Sequence, residues 1–138
     1  MAGYIDIVCN LFDPTSVRLK QNGLDDEFKK QVRMEPAIRG GVTMPQYLKR
    51  MDRAGIERSL LIAVRAGDLN VRGSFELPYA RVHEICERYP DRFSGLAGVD
   101  PFRGMQGLRD LEHSVRKLGF LPSILWPLGP PVAVLPVR

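Results

Sequence analysis

Cysteine is scarce in this chain. Only Cys9 and Cys86 occur, with no Cys-x-x-Cys spacing, so neither a zinc ribbon nor a dithiol redox motif is indicated. Histidine is equally rare: His83 and His113 are the only two, and no Asp/Glu/His cluster of metal-ligand spacing appears. The N-terminus lacks a basic-then-apolar signal pattern and carries Asp6 early. No apolar run suits a membrane span, because the longest uncharged stretch, Leu118 to Val137, contains five prolines. Strong charge of one sign is missing too: 20 basic and 16 acidic residues leave a net charge of +4. The bases are scattered among acids, with no reading motif or aromatic platform beside them, so nucleic acid is not an expected partner. Neither is a membrane. A reducing, soluble compartment follows, with the cytoplasm as the expectation.

What remains is an ordinary globular composition, 44% hydrophobic and 26% charged over 138 residues. One domain with a real core is within reach of that length. Tyr4 to Val8 is a β-branched apolar run and reads as a buried strand, broken by Asp13-Pro14. Residues 13–24 read as loop, and Asp25 to Met34 as a short helix with acids early and bases late. Thr43-Met44-Pro45-Gln46 is a capping box that starts a helix with Leu48, Met51 and Ala54 on its apolar face and Gly55 at its end. "SLLIAV" (Ser59–Val64) is the next buried strand. Pro78 opens a helix whose apolar face is Val82, Ile85, Cys86 and Tyr89. Phe93 to Val99 is a third strand. Leu108, Leu111, Val115 and Leu118 mark a further helix closed by Gly119, and Phe120 to Trp126 a fourth strand weakened by Pro122.

Apolar strands joined by crossover helices imply an α/β fold with a parallel sheet. Two architectures fit: a small open sheet, or a partial (β/α)8 barrel. A complete barrel takes about 250 residues, so these residues build about its first half.

Four blocks carry a family resemblance: "IDIVCNLF", "MDRAGIERSLLIAV", "RYPDRFSGLAGVDP" and "LEHSVRKLGF", in that order across residues 4 to 120. Together they resemble the amidohydrolase-related family, in its branch of metal-dependent decarboxylases and hydrolases similar to aminocarboxymuconate semialdehyde decarboxylase. The resemblance implies a TIM barrel with a divalent metal, often zinc, at the C-terminal mouth, and a first strand ending in His-x-His. Those ligand positions fall on Val8 and Asn10. Valine has no donor atom, and an asparagine carbonyl is a poor zinc ligand. Strand alternation points Cys9 to the opposite face unless a bulge re-aims it. No cofactor is therefore expected in this chain. The family's remaining ligands belong to strands after the matching blocks. Both histidines are expected at exposed helix positions, away from the mouth. Residues 1–120 read as the barrel's N-terminal half and 121–138 as a divergent Pro-rich tail, either the product of a changed reading frame or gene-model artefact or an extension covering a sheet edge.

Chemistry in such sheets collects at the carboxyl ends of strands. There the chain offers Asn10, Arg65 and Asp100, with Cys9 and Trp126 nearby in sequence. Arg65 suits bidentate capture of a substrate carboxylate, against a plain loop salt bridge. Asp100 could accept a proton or orient a ligand, against a turn or cap role. Asp6, an acid inside an apolar strand, reads as structural. The expectation is a truncated relative of metal-dependent decarboxylases or hydrolases, inactive alone, with a small carboxylate as ligand. The alternative is a non-catalytic binding or assembly protein whose open sheet edges draw self-association or a partner.

Overall fold

The computed structural model describes residues 3–19, 26–66 and 75–122. The strands are β1 (Tyr4–Cys9), β2 (Ile56–Ala66), β3 (Phe75–Leu77), β4 (Phe93–Ala97) and β5 (Leu121–Pro122). The helices are α1 (Pro14–Leu19), α2 (Asp26–Gln31), α3 (Met44–Arg53), α4 (Tyr79–Arg88) and α5 (Gly104–Leu118), with 3-10 turns at Pro36–Ile38 and Pro101–Arg103. Four strands run parallel in the order β1-β2-β4-β5, and β3 adds antiparallel to the end of β2. Among the described residues no helix is long and apolar enough to cross a membrane.

The helices are cut where local chemistry cuts them. Thr43 Oγ1 accepts the Gln46 N–H at 3.5 Å, and Gln46 Oε1 accepts the Thr43 N–H at 3.0 Å, so the capping box of α3 is complete. Gly119 ends α5 at φ 67°, a left-handed turn that lets the chain re-enter the sheet as β5. The residues read as loop at 13–24 instead contain α1. Asp13 is an N-terminal cap rather than a breaker: its carboxylate accepts the Thr15 N–H at 3.1 Å, and Pro14 opens the helix. The described part of the last strand is Leu121–Pro122. Pro122 sits at a sheet edge, opposite Ala97, and the rest of the expected strand and tail, residues 123–138 with Trp126, lies outside the described residues.

The core lies on the helix-facing side of the sheet. Ser59, Leu61 and Ala63 of β2 point there, with Phe93 and Ala97 of β4, Met51 of α3, and Val82 and Ile85 of α4. Phe93 packs between Tyr47 at 5.7 Å and Tyr89 at 6.2 Å, ring centre to ring centre. Phe120 lies over Gly95, where an added Cβ would come within 2.6 Å of the ring. Leu108, expected on the apolar face of α5, is exposed; Gly107, Leu111 and Ser114 face inward instead.

Cys86 is half-buried against this core, and burial pushes its thiol up to about 11, with Arg58 opposing. The folded chain then keeps a proton that the unfolded chain loses from pH 9.0 upward. The stability this group contributes is complete below pH 9.0 and is lost as pH climbs toward 11. Melting temperature is expected to fall across that window, and less steeply in Cys86→Ala. Parallel slopes for the two proteins would contradict the assignment.

Candidate functional site at the carboxyl ends of the strands

The register Ser59↔Phe93 through Ala63↔Ala97 brings the ends of β2 and β4 level. It therefore sets Arg65, near the end of β2, beside Asp100, just past β4. Arg65 Nε lies 3.4 Å from Asp100 Oδ2. That contact is an ion pair without a hydrogen bond, since Nε is buried and has no hydrogen-bond partner. The Asp100 side chain is 7% exposed and that of Arg65 31%. Asp100 is held by its own turn: Oδ1 accepts the Phe102 N–H at 3.0 Å, and the main-chain oxygen accepts the Arg103 N–H at 3.2 Å. The carboxylate is thus fixed, while the guanidinium reaches solvent with Asp100 as its one charged partner among the described residues. Such a pair can present an oriented cation to an incoming anion.

The floor beneath this pair is tightly built. Tyr79 donates its hydroxyl hydrogen bond to the Gly98 carbonyl, and burial raises its pKa, as does Asp110, with Arg103 opposing. Gly107 of α5 lies under the Asp100 turn, where an added Cβ would meet the Asp100 main-chain oxygen at 2.6 Å. Gly107→Ala is expected to destabilise by about 1–3 kcal/mol through this clash, although alanine in a helix interior is ordinarily favoured by about 1 kcal/mol. Urea unfolding checks the sign; a stabilised variant would contradict the close approach.

The first strand contributes less. Val8 is 60% exposed and offers no ligand atom. Asn10 lies exposed beyond β1, and the Arg65–Asp100 ion pair does not include it. The β1–β2 register slips between Asp6 and Cys9, and Cys9 then pairs with Leu61, whose side chain is in the core. Cys9 accordingly hydrogen-bonds the Tyr47 hydroxyl on α3, on the helix-facing side. Burial is the main cause that raises the Tyr47 pKa, with Cys9 adding to it. Asp6 accepts the Val8 N–H at 3.3 Å, consistent with a structural role.

His113 is exposed, as expected. His83 is not fully so: its side chain is 28% exposed, 3.4 Å from Glu87 and 6.3 Å from the Phe120 ring by centroids. Its helix position looked solvated because its neighbours are charged, but Phe120 folds back over it. Among the described residues no three His, Cys, Asp or Glu side chains come together as a metal site. Val8 and Asn10 stand where the sequence resemblance would put the first two ligands, and a valine beside an asparagine carbonyl is a donor set that does not fit a divalent metal.

Sequence reasoning missed one polar cluster. Arg81 of α4 pairs with Asp13 at 2.8 Å and also with Glu84, while Asp13 accepts from Ser16 as well. Burial alone would lower the Arg81 pKa; its bonds and charge contacts with Glu84 and Asp13 outweigh this and raise it. The cluster ties the β1–α1 turn to α4 and so braces the mouth. Nothing in the sequence signals a pairing between residues so far apart. A groove of about 890 Å³ lies elsewhere, against α3 and the outer side of β1, with Asp6, Val42, Tyr47 and Ser59 in its wall.

No protein-family profile matches the chain, and no curated protein does. Solved structures do. The 2,6-dihydroxybenzoate decarboxylase from Rhizobium has a TM-score of 0.57 at 22% identity, over 91% of this chain and 38% of that one. The 5-carboxyvanillate decarboxylase from Novosphingobium aromaticivorans, with bound manganese, has a TM-score of 0.53 at 20% identity, over 84% of this chain and 39% of that one. An uncharacterised TIM-barrel protein from Bordetella bronchiseptica has a TM-score of 0.53 at 21% identity, over 84% of this chain and 41% of that one. This chain thus spans about two fifths of the length of these structures. The likeness establishes the fold: four parallel strands with their helices form a partial (β/α)8 barrel.

Proposed function

We propose that this chain is the N-terminal part of a barrel of the amidohydrolase-related decarboxylase lineage, and that its half mouth binds a small aromatic carboxylate through Arg65. The observation that carries the reading is the Arg65–Asp100 pair at the ends of β2 and β4, with the aspartate buried and the guanidinium partly open. Two of the similar structures are named for decarboxylating dihydroxybenzoate and carboxyvanillate, both small aromatic carboxylates, and one of them holds manganese. Lineage chemistry would be metal-assisted decarboxylation or hydrolysis. With valine and asparagine where the first two ligands belong, this chain binds without turning over. A cytoplasmic setting agrees with Cys9 and Cys86, neither of which forms a disulfide.

Calorimetric titration with 2,6-dihydroxybenzoate tests the reading. Wild-type chain is expected to bind it, and Arg65→Ala to bind at least about tenfold more weakly, the effect of losing one charge-assisted contact. Arg53→Ala, on α3 away from the mouth, serves as the control and leaves affinity unchanged. Undiminished affinity in Arg65→Ala removes the proposal.

A second reading is favoured by the open edges. The exposed apolar residues of β1 (Ile5, Ile7 and Val8) call for cover, and association of the chain with itself supplies it.

A further inference from the structure

We infer that Glu76 makes the Arg65 mouth selective for monoanions: a ligand with one carboxylate is held, and one with two is disfavoured. The inference deepens the proposed carboxylate binding and rests on it. Its source is the short ribbon formed by the end of β2 and β3. There Val64 stands opposite Leu77, and Arg65 opposite Glu76. Residues directly opposite in an antiparallel pair lie about 4.5–5.5 Å apart at Cα and project to the same face. Leu77 is buried in the core, whereas Glu76 is only half-buried, as alternation along a strand requires. Glu76 therefore shares the face of the ribbon that carries Arg65.

Two carboxylates thus accompany one guanidinium. Asp100 is the ion-pair partner, with Oδ2 3.4 Å from Arg65 Nε, and Glu76 stands one strand away. Arg103, in the turn that holds Asp100, offsets neither of them, because it is paired with Asp110 at 2.6 Å. Tyr79 adds no charge, since burial raises its pKa and keeps the hydroxyl protonated. Among the described residues, the surroundings of Arg65 hold one positive and two negative charges.

The first carboxylate of a ligand is still captured. It meets the guanidinium directly, through short charge-assisted hydrogen bonds, while Glu76 repels it across a longer gap. A second carboxylate has no such contact to gain and meets the surplus of negative charge. In surroundings between protein interior and water, one charge at roughly 9 Å from another changes binding about threefold. Glu76 therefore sets the preference between ligands of one and two charges without touching either as a hydrogen-bond donor.

Calorimetric titration of the full chain with isophthalate and with 3-carbamoylbenzoate tests this. The two ligands match in shape, and at neutral pH the first is a dianion and the second a monoanion. Both are measured on the same protein, so their affinity ratio is independent of how much of a variant is folded. Wild type is expected to prefer the monoanion. Glu76→Gln should shrink that preference about threefold, and Glu76→Lys, which reverses the charge, about tenfold. A purely structural role for Glu76 would shift both affinities together and leave their ratio alone. Arg65→Ala should weaken both ligands. A ratio that stays at its wild-type value in both Glu76 variants, or a wild type that binds the dianion as tightly as the monoanion, overturns the role of Glu76 while Arg65 dependence keeps the binding site standing. Failure of either ligand to bind, or undiminished binding in Arg65→Ala, removes the carboxylate site and this inference with it.

Discussion

Arg81→Ala is expected to lower folding stability by about 3–5 kcal/mol, measured by urea unfolding at fixed chain concentration. Arg81 is 16% exposed and its partner Asp13 only 7%. Removing the guanidinium leaves a buried carboxylate whose remaining partners are the Thr15 N–H and the Ser16 hydroxyl. Neither carries a charge, and the cost is that of an uncompensated anion in a poorly solvated place. Removing both partners together, in Asp13→Ala with Arg81→Ala, should cost less than the sum of the single changes, because no lone charge remains. Glu84 also touches Arg81, but it is 59% exposed and water can replace it. A loss under about 1 kcal/mol in Arg81→Ala would place the pair in the class of weak surface bridges.

Phe93→Ala is expected to cost a comparable amount, about 3–5 kcal/mol, for a different reason. The ring is 2% exposed and lies where β4, α3 and α4 meet, flanked by Tyr47 and Tyr89. Its removal forfeits the transfer free energy of a large apolar group and leaves a cavity walled by two half-buried aromatic rings. The surrounding elements cannot collapse freely, because Tyr47 is tied to Cys9 on β1 and the Ser59↔Phe93 register fixes β4 against β2. The midpoint of urea unfolding should move down with little change in slope. An effect below about 1.5 kcal/mol would mean that the site repacks.

The succession of strands and helices was legible because its signals are local. A β-branched run marks β1, an apolar run marks β2, a capping box marks the start of α3, and Gly119 marks the end of α5. β3 escaped because three residues, Phe75 to Leu77, are too few to show a period. α1 escaped because Asp13-Pro14 reads equally as a break and as a helix start, and only the Thr15 N–H bond to the Asp13 carboxylate decides between them. The site was half legible. Position at strand ends singles out Arg65 and Asp100, but their pairing depends on the β2–β4 register, a fact of the sheet rather than of either residue's neighbours. Asn10 shares the strand-end position without joining the pair. Asp13 and Arg81 were illegible as partners because no local rule links the turn after β1 to the exposed-looking start of α4.

On the function proposed above, the chain keeps a carboxylate-binding half mouth while Val8 and Asn10, on and just past its first strand, cannot hold a divalent metal. The decisive assay is carbon dioxide release from a small aromatic carboxylate by the full chain, with and without added Mn²⁺. No release above the uncatalysed background is expected in either condition. Turnover that appears on adding Mn²⁺ and vanishes on chelation would contradict it.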